Sequence, residues 1–131
     1  MTQRLIALSV TARAWRGEGT DSFVRIQPRA IPKEKPMPRF TLLCSDKPGA
    51  LELRMATREA HLAFVHDHLQ GIRAAGPLLD AEGNMNGSFF LIDAEDAAAV
   101  EAFSQADPYR RAGLFERVEI RCWRQSVGEP I

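Results

Sequence analysis

Apolar and polar positions first alternate regularly at FTLLCS, Phe40 to Ser45, where Phe40, Leu42 and Cys44 fall on one side of an extended chain. Lys47-Pro48-Gly49 ends that strand. Helical spacing follows from about Thr57 to Ala75, with Leu62, Val65, Leu69 and Ile72 as the inward stripe and Gly76-Pro77 as the stop. Leu78 to Ala81 reads as a short strand, and the turn residues Glu82-Gly83-Asn84 lead into a buried strand from Ser88 to Ile92. Asp93 is placed to cap a second helix, DAEDAAAVEAFSQA, whose Val100 and Phe103 face inward. Asp107-Pro108 breaks that helix, and Tyr109 to Gly113 form a turn or a single helical turn. In the closing stretch FERVEIRCW, Val118, Ile120 and Cys122 alternate with Glu119, Arg121 and Trp123, the pattern of a two-sided strand.

The order β-α-β-β-α-β predicts an α+β, ferredoxin-like sandwich with two helices on one face of a four-stranded, mostly antiparallel sheet. No helix is left for the other face, where Leu43, Trp123 and Phe89 or Phe90 are expected to point. An apolar sheet face without a cover predicts pairing with a second copy, hence a homodimer. The first and last strands should be antiparallel neighbours, which puts Cys44 and Cys122 at opposite ends of the sheet, too far apart for a disulfide. Both are expected to be small buried hydrophobes. Two cysteines also make no disulfide framework and fit a reducing, cytoplasmic setting.

Residues 1–37 differ from the rest. Before Met37 seven basic residues face three acidic ones, a surplus of +4 that the remainder balances in a chain of net charge zero. The segment lacks sustained periodicity and ends in IPKEKPMPRF, where Pro32, Pro36 and Pro38 oppose regular structure. An upstream start codon in place of Met37, a disordered basic arm and an organellar presequence each account for it. Residues 38–125 then make the domain and 126–131 a short tail. A length of 131 residues holds one compact domain. A balanced charge argues against nucleic acid as a partner, and the longest apolar run, Leu5 to Val10, is too short to span a bilayer.

The candidate chemistry sits in TREAHLAFVHDHLQ, which carries all three histidines, His61, His66 and His68. At about 100° per residue, His66 and His68 diverge by about 80° to opposite sides of the inward stripe, whereas His61 borders it, about 60° away. No pair has the i, i+4 spacing of a two-histidine zinc helix, so no metal is expected. His66 and His68 read as flank residues. His61 falls in the first turn of the expected helix, where the dipole favours a neutral ring, and its place beside the core calls for a polar partner. Asp107 is the natural candidate, although an Asp-Pro at a helix end also serves simply to cap the next turn. Spacing alone does not settle whether the two meet.

Taken in order, Arg58-x-x-His61-Leu62, Ala75-Gly76-Pro77-Leu78, Gly87-Ser88, Ala106-Asp107-Pro108-Tyr109 and Ala112-Gly113-Leu114-Phe115-Glu116, with a last strand ending at Trp123, resemble the YCII-related domain family over about residues 38–125. Residues 1–36 have no counterpart in that set, which favours the start-codon explanation. The resemblance implies a ferredoxin-like fold that associates as a dimeric α/β barrel. It also implies an active site built on a His-Asp pair, which maps onto His61 and Asp107. One relative, a dehydrochlorinase of chlorinated hydroxyhydroquinones, implies lyase-type or isomerase-type acid–base chemistry without a cofactor. On that reading His61 is the base, Asp107 orients it, Arg58 binds an anionic substrate group, and Ser88 and Tyr109 supply hydrogen bonds. Each of the last three also has a plain structural explanation: a solvent-facing arginine, a strand-start hydroxyl and a packing aromatic. A dimer that only binds a small ligand in the same cleft is the alternative.

Overall fold

The computed structural model describes residues 37–131, and the basic N-terminal segment 1–36 lies outside the described residues. Four strands and three helices follow in the order β1 (Arg39–Asp46), α1 (Leu51–Asp67), β2 (Ile72–Leu79), β3 (Met85–Asp93), α2 (Ala97–Ala106), α3 (Pro108–Arg111) and β4 (Phe115–Trp123). All neighbouring strands are antiparallel and the sheet order is β2-β3-β1-β4. This is the expected ferredoxin-like α+β arrangement, with the first and last strands side by side.

Strand alternation fixes the core. Opposite Phe40, Leu42 and Cys44 stand Ile92, Phe90 and Ser88 on one side and Cys122, Ile120 and Val118 on the other. Leu42, Phe90, Val100 and Leu114 are at most 1% exposed, and burying each such side chain stabilises the fold by about 1.5–3 kcal/mol. The opposite sheet face carries Leu43 against Phe89, so Phe89 and not Phe90 is the outward aromatic. Cys44 pairs with Val118 and Cys122 with Phe40. Four residues along a strand separate the two thiols, about 13 Å, too far to bridge. Cys44 is buried as expected, but Cys122, next to the last residue of the edge strand β4, is exposed.

The first helix departs most from expectation. It starts at Leu51, six residues earlier than the spacing suggested, and stops at Asp67. Gly71 explains the stop: its φ is +96°, a Cβ there would approach the Asp93 carbonyl to 3.1 Å, and its own carbonyl accepts the Asp93 N–H at 2.8 Å. The chain turns there and Ile72 opens β2, so Ile72 belongs to the sheet and not to the helix stripe. Gly76-Pro77 lies inside β2 instead of ending a helix. Pro77 is tolerated because β2 is an edge strand, with its far side unpaired among the described residues. The inward face of α1 is also rotated: Arg54 and His61 are its buried residues and Val65 packs against the core, whereas Leu62 is 45% exposed and Leu69 lies beyond the helix end. The second helix is capped by Asp96, which accepts the Ala99 N–H at 2.9 Å, and not by Asp93, which ends β3 and bonds Arg39.

Candidate active site

His61 lies in the middle of α1, about ten residues from its start, so the helix-dipole argument drawn from a first-turn position does not hold. Its partner settles its environment instead. The Nδ1 atom lies 2.8 Å from Asp107 Oδ1, both side chains being almost fully buried within the same chain. Asp107 reaches that point because α2 ends there: it is the C-terminal flank of α2 and the N-cap of α3, where the same Oδ1 accepts the Tyr109 N–H at 2.9 Å. Capping and histidine binding are therefore one arrangement. A carboxylate fixed by a backbone N–H orients the imidazole, with Nδ1–H donating and Nε2 left as the acceptor.

Tyr109 follows two residues later and stacks on the imidazole, ring centroids 3.9 Å apart and 16° between planes. Phe90, from the middle of β3, meets the same ring edge-on at 6.1 Å. Burial pushes the Tyr109 phenol above its ordinary range, against the downward pull of the Arg54 and Arg58 charges. Burial, with the Asp107 charge second, pushes the nearby Cys44 thiol up to about 12.

Two residues that carry much of the site were not singled out from the sequence. Arg54, one helical turn before Arg58 and two before His61, is 2% exposed. Its Nε and Nη2 donate to the two Asp46 carboxylate oxygens at 2.7 and 3.0 Å, and Nη2 also donates to Ser88 Oγ at 2.8 Å. Asp46 stands on the helix-facing side of β1, two residues past Cys44, next to a register irregularity in the pairing with β4. The Arg54 guanidinium also lies 4.4 Å over the Tyr109 ring. Burial disfavours its charge, but the hydrogen bonds and charge of Asp46 outweigh that and keep it firmly protonated. The i, i+4, i+7 series Arg54, Arg58, His61 was a visible signal, obscured because buried helix faces are normally apolar.

These groups surround a cavity of about 130 Å³ between α1 and the β2–β3 pair. Arg54, Arg58, His61, Ser88, Phe90 and Tyr109 form its chemically distinctive wall, completed by apolar side chains such as Leu62 and Pro77. Arg58 is exposed, and among the described residues it has no ion pair. Ser88 is 3% exposed and committed to Arg54. His66 and His68 stand apart: His68 bonds the Phe64 carbonyl at 2.7 Å and packs on Phe64 and Phe103. Among the described residues no group of three or more His, Cys, Asp or Glu side chains is placed to hold a metal ion, and no helix is long and apolar enough to cross a membrane.

Comparison with known proteins places these features in a family. The family model of the YCII-related domain matches residues 38–124. Protein YciI of Escherichia coli is 30% identical over 95 residues, 66% of this chain and 96% of that protein. An uncharacterised protein of Haemophilus influenzae is 28% identical over 98 residues, 66% of this chain and 96% of its own length. Among solved structures, the 5-chloro-2-hydroxyhydroquinone dehydrochlorinase TftG from Burkholderia phenoliruptrix, in complex with 2,5-dihydroxybenzoquinone, is similar with a TM-score of 0.65 and 32% identity, over 67% of this chain and 95% of that one.

Proposed function

The chain belongs to the YCII-related domain family, and on that premise we propose that it is a small cofactor-independent enzyme in which His61 and Asp107 perform acid–base chemistry on a small polar or aromatic substrate. The observation that carries this reading is the buried 2.8 Å contact between His61 Nδ1 and Asp107 at the wall of a cavity. With Nδ1–H bound to the carboxylate, Nε2 is the free base and takes a proton from a substrate hydroxyl or carbon. The electron pair of the broken bond moves into the substrate and expels a leaving group as an anion, or relocates a double bond. Asp107 stabilises the imidazolium that forms. No electrons are gained or lost, so elimination of the dehydrochlorinase kind needs no redox partner. The similarity to TftG supports this reaction class. Arg58 attracts an anionic substrate at the cavity mouth, while Ser88 and Tyr109 hold polar groups deeper inside.

The proposal extends to assembly. Leu43 and Phe89 on the sheet face away from the helices suit burial against a second copy, giving a homodimer of residues 38–125 with 126–131 as a tail. Sedimentation at micromolar concentration should find twice the chain mass; a monomer would contradict it. The catalytic reading is tested by offering the protein a panel of hydroxylated and chlorinated rings. Turnover by the native protein, and its loss in His61→Gln with ligand affinity retained, is the expected result. Ligand binding without turnover of any panel member would favour a binding module instead.

A further inference from the structure

A guanidinium that is 2% exposed must have its donors satisfied, because an unpaired buried donor is costly. Arg54 has five N–H groups in a planar fork. Asp46 and Ser88 take Nε and Nη2. Among the described residues no hydrogen bond from Nη1 is formed, although the Tyr109 phenol also favours the guanidinium charge, and Arg54 forms part of the cavity wall. One edge of the fork is thus clamped to β1 and β3, and the face of the guanidinium is held by the Tyr109 ring at 4.4 Å. What remains is an oriented pair of charged donors at the wall of a partly open, largely apolar cavity.

We propose that Arg54 is the inner anchor of the cavity, its Nη1 edge receiving an anionic oxygen of the ligand, so that the site selects small planar anions over neutral rings of the same size. This rests on the cavity being the substrate site and names the class of substrate it takes: a ring bearing an ionised hydroxyl, enolate or carboxylate. Arg58, one turn further along α1 and exposed at the mouth, steers such an anion inward, whereas Arg54 fixes it beside the imidazole. The clamp by Asp46 matters for specificity. A guanidinium already held on one edge loses little freedom on binding, and its second edge is available only to a partner that enters the cavity. Ser88, by accepting from Nη2, fixes the fork against β3.

The test compares two ring compounds of similar size, the acidic 2,5-dihydroxybenzoquinone, anionic at neutral pH, and neutral hydroquinone, by calorimetry on the full chain. The native protein should prefer the anion by about ten- to a hundredfold, the value of a charge-assisted hydrogen bond. Arg54→Met should reduce that preference to about threefold or less while hydroquinone affinity changes far less; a structural role alone would weaken both ligands together. Arg58→Met should keep most of the preference and slow association. A folded Arg54→Met that retains the preference, or an Arg58→Met that abolishes it, overturns the proposal. Should Arg54→Met fail to fold, a crystal structure of the native protein with the quinone decides: a ligand oxygen within about 3.2 Å of Nη1 supports the anchor, and ligand oxygens paired only with Arg58 refute it. Failure of the catalytic reading is distinct. A protein that binds the anion through Arg54 but turns over no substrate keeps the anchor and loses the enzyme. One that turns over substrate without preferring anions does the reverse.

Discussion

Replacing Asp107 by alanine removes a single oxygen that two buried donors share. Oδ1 accepts from His61 Nδ1 at 2.8 Å and from the Tyr109 N–H at 2.9 Å, with the residue 1% exposed. In Asp107→Ala both donors stay buried without acceptors, at about 1–3 kcal/mol each. The two costs overlap, since the residue is also the cap of α3, so a total of about 3 kcal/mol is expected. For a domain of this size that lowers Tm by about 12–24 °C. Asp107→Asn keeps an acceptor oxygen of the same shape and loses only the charge, so it should cost about 1 kcal/mol and a proportionate few degrees. Denaturant titration and calorimetry measure both. A double-mutant cycle with His61→Ala isolates the pair and should return a coupling of about 1–2 kcal/mol. If Asp107→Ala costs under about 1 kcal/mol, or the cycle returns no coupling, the shared acceptor is not what holds α1 to α3.

Tyr109 is the sole tyrosine, so phenolate absorbance reports on it alone. Burial raises its pKa, so its native titration midpoint should lie above 10 and fall on unfolding. Since the unfolded chain releases that proton first, the stability linked to Tyr109 is fully present below about pH 10 and is lost as pH rises through the folded value; a native midpoint at or below the unfolded one would contradict the packing. Iodoacetamide at pH 8 should label the exposed Cys122 and spare Cys44, whose thiol is buried with a pKa of about 12, as peptide mass mapping would show. Gly87→Ala should destabilise by about 1–3 kcal/mol, because its Cβ would meet the Cys44 carbonyl at 2.6 Å and Leu78 Cδ1 at 2.8 Å; an unchanged unfolding midpoint would mean that β1, β2 and β3 pack less closely there.

Strands β1, β3 and β4 and the second helix were legible because their patterns are simple: Phe40, Leu42 and Cys44 alternate, and Val100 is buried where an apolar helix face is expected. The first helix was not, because it inverts the usual rule. Its buried face holds a paired arginine and a paired histidine, while Leu53, Met55 and Leu62 are exposed and only Val65 of the expected stripe within the helix packs against the core. Its end was hidden for another reason. Gly71 inside apparently helical spacing looks tolerable until the left-handed turn onto β2 is seen. Asp107 shows a third limit. Its capping role follows from the sequence, but its approach to His61 depends on where α2 ends relative to α1, which no local pattern encodes. Arg54 escaped notice because its partner, Asp46, lies eight residues away on a strand, and only the fold joins them.

Chemical rescue of His61→Ala tests the central claim most directly. Turnover of a ring compound on which the native protein is active is followed with the native protein and with the variant, without and with added imidazole. If Nε2 of His61 is the base, the variant should lose at least about a hundredfold in rate. Imidazole entering the space vacated beside Tyr109 should then restore about tenfold or more. A folded variant that turns the compound over at the native rate, or one that loses activity and gains nothing from imidazole, would contradict the assignment.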